Sequence, residues 1–448
     1  MLRVAVVGSG PSGVYTAEAL TRQEAVPDVS VDVLDRLPCP YGLVRYGVAP
    51  DHEKIKSLQG TLRRVLEDPR IRFLGDVTVG GPGLSPRALL GLYHAVVYCF
   101  GAATDRRLGV PGEDLPGSCA ATHFVSWYSA HPDEAPDGFP LRARSAVVVG
   151  VGNVAVDVAR ILARGAEELR RTDVPEGVLR ALADSRVTDV HMVGRRGPSQ
   201  AKFTTKELRE LGDLRDADVL VRPEELELDP AYTDPQGLVP VARRNVEVLR
   251  GWASRPPAGR RRRIHLRFFL RPVAVLGEDG VTGVRFERTA PDGRGGVRGT
   301  GVLEDIDAQL VLRSVGYRGV PLEGLPFDDR LGIVPNEEGR VLRGGVPSPG
   351  EYVAGWIKRG PTGVIGTNRP CAKQTAAALV ADARELLARR TTAADPLEGL
   401  RALGQDPVEW TGWEAIEAAE AALGRSLDRA TVKIPDWEGL LAAARPTG

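Results

Sequence analysis

Val4-Ala5-Val6-Val7-Gly8-Ser9-Gly10-Pro11-Ser12-Gly13 decides how this chain folds. Four consecutive apolar residues read as a strand buried on both faces of a parallel sheet, because a half-exposed strand would alternate apolar with polar. The glycines that follow keep the G-x-G-x-x-G spacing, and residues 14–20 continue as a helix. Strand, glycine turn and helix in that order make a dinucleotide-binding unit. Gly8, Gly10 and Gly13 let backbone amides approach a pyrophosphate at the positive helix end, with Pro11 and Ser12 opening that helix. The next apolar run, Val29–Leu34, ends in Asp35, 22 residues beyond Gly13, an acid suited to accept hydrogen bonds from ribose hydroxyls.

The same unit occurs a second time. Residues 146–149 run into Gly150-Val151-Gly152-Asn153-Val154-Ala155, where alanine stands in place of the third glycine and the phosphate-binding half of the pattern is kept. Gly150, Gly152, Asn153, Val154 and Ala155 therefore read as a second phosphate turn. Its partner strand, residues 187–193, ends in Gly194-Arg195-Arg196. An NAD site would carry a carboxylate there; two guanidinium groups instead match a 2′-phosphate in charge and planarity, so NADP is favoured over NAD. Two dinucleotide folds with different ribose chemistry predict FAD in the first, NADP in the second, and hydride transfer as the pairing's purpose.

A length of 448 residues favours two or three domains. Residues 95–100 form another apolar strand ending at Gly101, after which residues 104–117 are polar and rich in Pro and Gly, the composition of a domain crossing. Residues 310–315 are the matching late strand, ending at Gly316. The expected fold class is α/β, with two Rossmann-like domains, the NADP domain (104–316) inserted in a discontinuous FAD domain (1–103 and 317–448, the last part with a C-terminal extension). Residues 367–389 read as a long Ala-rich helix.

Lys plus Arg and Asp plus Glu both number 59. A balanced chain is not a general binder of nucleic acid or anionic membrane. Cys39, Cys99, Cys119 and Cys371 contain no C-x-x-C pair, which argues against a disulfide framework, a zinc or iron–sulfur site, and a disulfide reductase; no metal is expected. No apolar run approaches 18 residues and the N-terminus lacks a secretory signal, so a soluble cytoplasmic protein is expected.

Five segments carry a resemblance: GSGPSG (8–13), PYGLVRYGVAPDH (40–52), GVGNVAVDVAR (150–160), GRRGP (194–198) leading to Phe203-Thr204, and GWIKRGPTGVIGTN (355–368). Together they resemble the adrenodoxin reductase-like ferredoxin–NADP reductases, FprA type, from the N-terminus to about residue 389. One departure is Trp127-Tyr128-Ser129-Ala130, where that family continues with Asn-Gly. The resemblance implies a ferredoxin–NADP reductase passing electrons from NADPH through FAD to a one-electron iron–sulfur protein, or the reverse. It assigns FAD contacts to Gly8, Gly10, Pro11, Ser12, Gly13, Asp35, Leu43, Gly101, Trp356, Gly363, Val364 and Ile365. NADP contacts fall on Gly150, Gly152, Asn153, Val154, Ala155, Arg195, Arg196, Glu207 and Gly363. His52 stands as the active-site histidine with Glu210 as its partner, and Arg243 and Arg244 as the ferredoxin-docking pair. A monomer or weak dimer is expected.

The residues can also be read without the family. Asp51 suits a helix N-cap before a periodic apolar run, and His52 has the side chain whose ordinary pKa suits proton handling near neutrality. Glu207 and Glu210, three apart, share a helical face. The loop 360–367 precedes a helix, so its amides can converge on the negative charge of a reduced flavin. Residues 243–271 hold ten arginines against one acid, Glu247, a patch that would steer an acidic partner. The competing functions are an NADPH-dependent flavoprotein oxidase or monooxygenase, and a non-catalytic FAD- and NADP-binding redox sensor.

Overall fold

The computed structural model describes residues 1–81, 83–234, 237–389, 391 and 394–445. It divides into two compact units, one formed by Met1–Thr104, Ser129–Asp133 and Tyr317–Gly448, the other by Asp105–Tyr128 and Glu134–Gly316.

The first unit is built on a seven-stranded sheet. Strands Ile71–Leu74, Val29–Leu34, Leu2–Val7, Ala95–Tyr98 and Val346–Val353 lie side by side and parallel, and Arg340–Arg343 and Asn336–Glu337 extend the sheet antiparallel beyond Val346–Val353. Val4 and Val6 face a core containing Val31, Val33, Val14 and Leu379, while Ala5 and Val7 face one containing Leu34, Leu89, Val96 and Val353. Both faces are covered, which is why the central strand is apolar from Val4 to Val7. The helix Pro11–Arg22 packs against the helix Asn368–Ala381. The long helix expected over 367–389 is interrupted at Asp382 and resumes as Ala383–Leu387. Two further helices, Trp410–Ser426 and Trp437–Ala444, contribute Trp413, Ile416 and Leu440 to the first core.

The second unit repeats the plan. Six parallel strands lie in the order Ser118–Ala120, Leu310–Arg313, Ser145–Val149, Asp189–Val193, Arg262–Arg267, Ala217–Val221. The helix Asn153–Ala163 packs on one face with Val148, Val190 and Leu266, while Val147, Val149, Val193 and Phe286 form the core of the other. A three-stranded antiparallel sheet, Leu270–Leu276, Gly283–Pro291 and Val297–Asp307, completes this unit. The α/β class with two Rossmann-like sheets is the architecture expected from the sequence. Among the described residues no helix is long and apolar enough to cross a membrane.

Two candidate dinucleotide sites

In a parallel sheet every strand delivers its carboxyl end to the same edge, and ligands of open α/β folds bind there. In the first unit that edge gathers Gly8–Gly13 after Leu2–Val7, Asp35 after Val29–Leu34, Gly101 after Ala95–Tyr98, and Gly355–Trp356 after Val346–Val353.

The glycine turn is shaped by what a side chain would strike. Gly8 has φ +111°, and a Cβ on it would stand 2.7 Å from the Cys99 carbonyl oxygen; one on Gly13 would collide with the carbonyl oxygen of Gly8. Those two glycines serve close packing of turn, strand and helix. Gly10 differs, because its Cβ direction meets only the Gly42 Cα, at 3.9 Å. The helix that follows has Pro11 at its first position, no side chain capping its amides and no acid in its first turn. Its orphan N–H groups and positive end are left for an anion.

Asp35 faces inward. Its Oδ2 accepts from the Ser9 amide at 2.8 Å and the Ser9 hydroxyl at 2.5 Å, and its Oδ1 accepts from the Leu37 amide at 2.9 Å. Burial pushes this carboxyl above its ordinary 3.8, and the Ser9 and Leu37 bonds pull against the rise. Besides any ribose contact, Asp35 braces the phosphate turn.

Residues 40–52 lie against that turn. The Tyr41 amide donates to the Ser9 carbonyl at 3.1 Å, and Gly42 stands over Gly10. Leu43 opens the short helix Leu43–Tyr46 and is 40% exposed, and Val364 is 63% exposed. The helix cap expected at Asp51 falls one residue later: His52 is the N-cap of Glu53–Lys56, by its carbonyl, which accepts from Ile55 and Lys56. His52 is buried. Its ring does not cap the helix.

Gly355 packs against Ser12, and its amide donates to the Cys371 sulfur at 3.3 Å. The half-buried Trp356 starts the helix Trp356–Arg359, its ring 5.3 Å from that of Tyr317. Arg359 holds the following loop, donating to the Thr362 carbonyl at 3.0 Å, the Thr367 hydroxyl at 3.1 Å and Asn368 Oδ1 at 2.8 Å. Gly363 takes φ +83° there, and Ile365–Thr367 forms a 3₁₀ turn into the helix Asn368–Ala381, whose first turn is free of acids. Gly101, at φ +75°, has open space where a Cβ would stand. All four cysteines are free; burial pushes Cys39 up to about 11 and Cys99 and Cys119 up to about 12, so these three remain thiols at neutral pH.

In the second unit Gly152 caps the helix Asn153–Ala163 without a side-chain bond, no acid stands in its first turn, and nothing lies within 4 Å of a Cβ built on Gly152. Asn153 Oδ1 accepts from the Thr204 amide at 2.8 Å, and Thr204 in turn caps Thr205–Gly212 through Glu207. The second phosphate turn thus fixes the helix that carries Glu207, which is buried, and Glu210, which meets Arg160 Nε at 3.7 Å and Lys206 Nζ at 3.6 Å. Val154 is half-buried and Ala155 fully buried beneath the turn. Arg195 is exposed and Arg196 half-buried; among the described residues no carboxylate pairs with either, so both are available to a phosphate.

The arginine-rich run is corrected by the structure. Arg262 and Arg267 are buried in a strand: Arg262 donates to the carbonyls of Val187 and Arg164, and Arg267 pairs with Glu225 and Glu304 at 2.7 Å. Arg260 donates to the Leu214 and Ala217 carbonyls, Arg263 pairs with Asp189, Arg271 with Glu287, and Arg250 donates to the Tyr232 carbonyl while its guanidinium lies over that ring. A count of charges does not distinguish a docking face from ion pairs that hold strands together. Arg243 and Arg244 are exposed on the helix Pro240–Ala253.

Residues 2–211 match the family described as pyridine nucleotide-disulphide oxidoreductase. The chain is 45% identical over 452 residues to the NADPH-ferredoxin reductase FprA of Mycobacterium tuberculosis, covering 98% of each. It is 40% identical to the mitochondrial NADPH:adrenodoxin oxidoreductase of Arabidopsis thaliana, covering 99% of this chain and 95% of the relative. The solved structure of M. tuberculosis FprA in complex with NADPH superposes with a TM-score of 0.93 at 44% identity over 99% of both chains. Two Rossmann-like folds with open phosphate turns define a pyridine-nucleotide-dependent oxidoreductase of the two-dinucleotide-fold class. Within that class, the chain belongs to the adrenodoxin reductase-like ferredoxin–NADP reductases.

Proposed function

We propose that this oxidoreductase carries electrons from NADPH, through FAD, to a ferredoxin-type iron–sulfur protein. The full-length likeness to NADPH-ferredoxin reductase carries the reading, and the residues fit the cofactors. Gly10 and Gly152 leave open space at uncapped helix N-termini, two anion sites in one chain. When bound, NADPH supplies two electrons as hydride, and FAD accepts the pair and releases electrons singly.

The domain assignment follows: the unit containing residues 1–104 and 317–448 holds FAD, and the unit spanning most of 105–316 holds NADPH. In the first, Gly8, Gly10, Pro11, Ser12 and Gly13 bind pyrophosphate, Asp35 fixes the turn and faces the ribose, and Leu43, Gly101, Trp356, Gly363, Val364 and Ile365 receive the ring. In the second, Gly150, Gly152, Asn153, Val154 and Ala155 bind pyrophosphate, and Arg195 and Arg196 take the 2′-phosphate. Glu207 orients the nicotinamide half, with Gly363 supporting it. His52 and Glu210 handle protons and charge during transfer. Arg243 and Arg244 receive the acidic partner, since charge complementarity steers and orients association.

The test is a purified holoprotein assayed with NADPH and three acceptors: a ferredoxin–cytochrome c couple, oxygen, and ferricyanide. Fast ferredoxin reduction with slow oxygen uptake is expected; the reverse order would make the protein an oxidase, and no flavin reduction by NADPH would leave a sensor. Changing Arg243 and Arg244 to glutamate should raise the KM for ferredoxin and leave the ferricyanide rate unchanged, because a small oxidant needs no docking surface.

A further inference from the structure

Lys358 is buried, 8% exposed, and holds no counter-ion. Its ammonium donates to Gln374 Oε1 at 2.9 Å and to the Thr375 hydroxyl at 3.0 Å, both neutral acceptors on the helix Asn368–Ala381. Among the described residues no carboxylate pairs with it. The acid that bears on it from outside, Glu338, is 71% exposed and meets Arg340 at 3.8 Å. Burial draws this ammonium below its ordinary 10.5.

A buried charge without a partner is expensive, and proteins keep one where something else supplies the opposite sign. Arg45, a buried cation of the same unit, has that partner in Glu420. Lys358 does not, and its place in the fold says what would supply it. It stands three residues after Gly355, which packs on Ser12 of the phosphate turn, and its amide is bonded to the Gly355 carbonyl at 3.1 Å. Its neighbour Arg359 also has only neutral acceptors, around the start of Asn368–Ala381. Arg359 thus joins the positive end of a 14-residue helix that carries no acid in its own first turn, and Lys358 binds the same helix farther along, at its seventh and eighth residues.

We propose that Lys358 is a fixed positive charge that tunes the flavin of the first unit toward its reduced form. The inference rests on FAD binding to this unit. Hydride brings two electrons and one proton, so the ring gains one unit of negative charge, and a cation buried in the same unit, bonded to the helix that follows the loop 360–367, stabilises that product. Lys358 is a positioning and tuning residue, and it does not exchange a proton in this role.

The experiment compares holoprotein carrying Lys358→Gln, Lys358→Arg and Gln374→Glu with the parent. The last places a carboxylate beside the ammonium without changing side-chain shape, so the charge is neutralised in place even if Lys358→Gln folds poorly. The two-electron midpoint potential is measured by dye equilibration, and sulfite, which adds to the oxidised ring through its lone pair and leaves it negative, is titrated as an independent probe. Lys358→Gln and Gln374→Glu should each shift the reduction equilibrium about tenfold toward the oxidised form, about 30 mV for a two-electron couple, and weaken sulfite binding; Lys358→Arg should restore both. FAD content is the structural control. Unchanged potential and sulfite affinity in Gln374→Glu would overturn the proposal while leaving FAD binding intact, whereas a parent protein that takes up no FAD would remove the functional reading itself.

Discussion

Replacing Glu420 by alanine should unlock the segment, residues 40–52, that lies against the phosphate turn. Glu420 Oε1 accepts from Arg45 Nη2 at 2.6 Å and from the Ile434 amide at 2.9 Å, with both charged side chains 5% exposed. The Arg45 guanidinium lies 5.0 Å from the ring centroids of both Tyr46 and Trp413, and the Arg45 carbonyl accepts from Lys433 at 2.5 Å. The alanine variant leaves a guanidinium stranded among aromatic rings. Removing one partner of a buried pair costs about 3–5 kcal/mol, a large share of the 5–15 kcal/mol that holds a typical domain folded. With a urea dependence of about 2–3 kcal/mol per molar, the midpoint of the first unit's transition should fall by about 1–2.5 M. Because Arg45 follows Gly42, which stands over Gly10, FAD should be released in the same transition. Urea titration followed by circular dichroism and by flavin fluorescence measures both. The variant Arg45→Met combined with Glu420→Leu should be less damaging than either single change, since an apolar pair strands no charge. A loss below about 1 kcal/mol for Glu420→Ala, or a double variant as unstable as the sum of the singles, would refute the reasoning.

Three further outcomes are expected. Replacing Arg195 and Arg196 by alanine should cut the preference for NADPH over NADH, in kcat/KM, by roughly 10²- to 10⁴-fold, because two hydrogen bonds to a charged phosphate are worth about 1.5–3 kcal/mol each. Gly152→Ala should leave the unfolding midpoint of the cofactor-free protein within about 0.5 kcal/mol of the parent, since nothing lies near its Cβ, yet weaken NADPH in a binding titration; an unchanged affinity would place the pyrophosphate elsewhere. His191 is stacked on His265 with centroids 4.3 Å apart, and burial, with the charge of His265, lowers it from 6.5 to about 3. A depressed histidine is stabilising above its unfolded pKa, so the second unit should lose stability as pH falls below about 6.5 toward about 3. His191→Phe should flatten that slope in pH-dependent melting.

Features written in a few adjacent residues were legible. The two glycine turns were found because strand, turn and helix follow in order, and each of these residues acts on its chain neighbours. The position of Arg195 and Arg196 just after the strand Asp189–Val193 was legible for the same reason. Asp35 was placed correctly at the strand end, but that it would turn back on Ser9 depends on how the turn curls, which spacing does not encode. The helix cap moved from Asp51 to His52 because residues 49–52 close a turn of their own, with the His52 amide bonded to the Ala49 carbonyl. Arg45 and Glu420 lie 375 positions apart, and no local pattern joins them. The arginine run misled because Arg262 and Arg267 sit in a strand where Arg262 meets the carbonyls of Val187 and Arg164 and Arg267 meets Glu225 and Glu304, all distant in sequence. Lys358 lay inside a quoted motif, yet only coordinates reveal that its neighbours are neutral.

The first unit's sheet also sets a timetable for biosynthesis. The strand Ala95–Tyr98 is complete early, but its outer neighbour, Val346–Val353, is made about 250 residues later. At about 5–20 residues per second the ribosome needs roughly 10–50 s to supply it, and the helices 410–444 that close the apolar face come later still. During that interval most of the second unit is already outside and can fold, while the nascent sheet presents an unpaired, wholly apolar edge at Ala95–Tyr98. Such an edge recruits other strands, so truncation before Val346 should leave a chain that aggregates, which the soluble yield of the truncated chain measures.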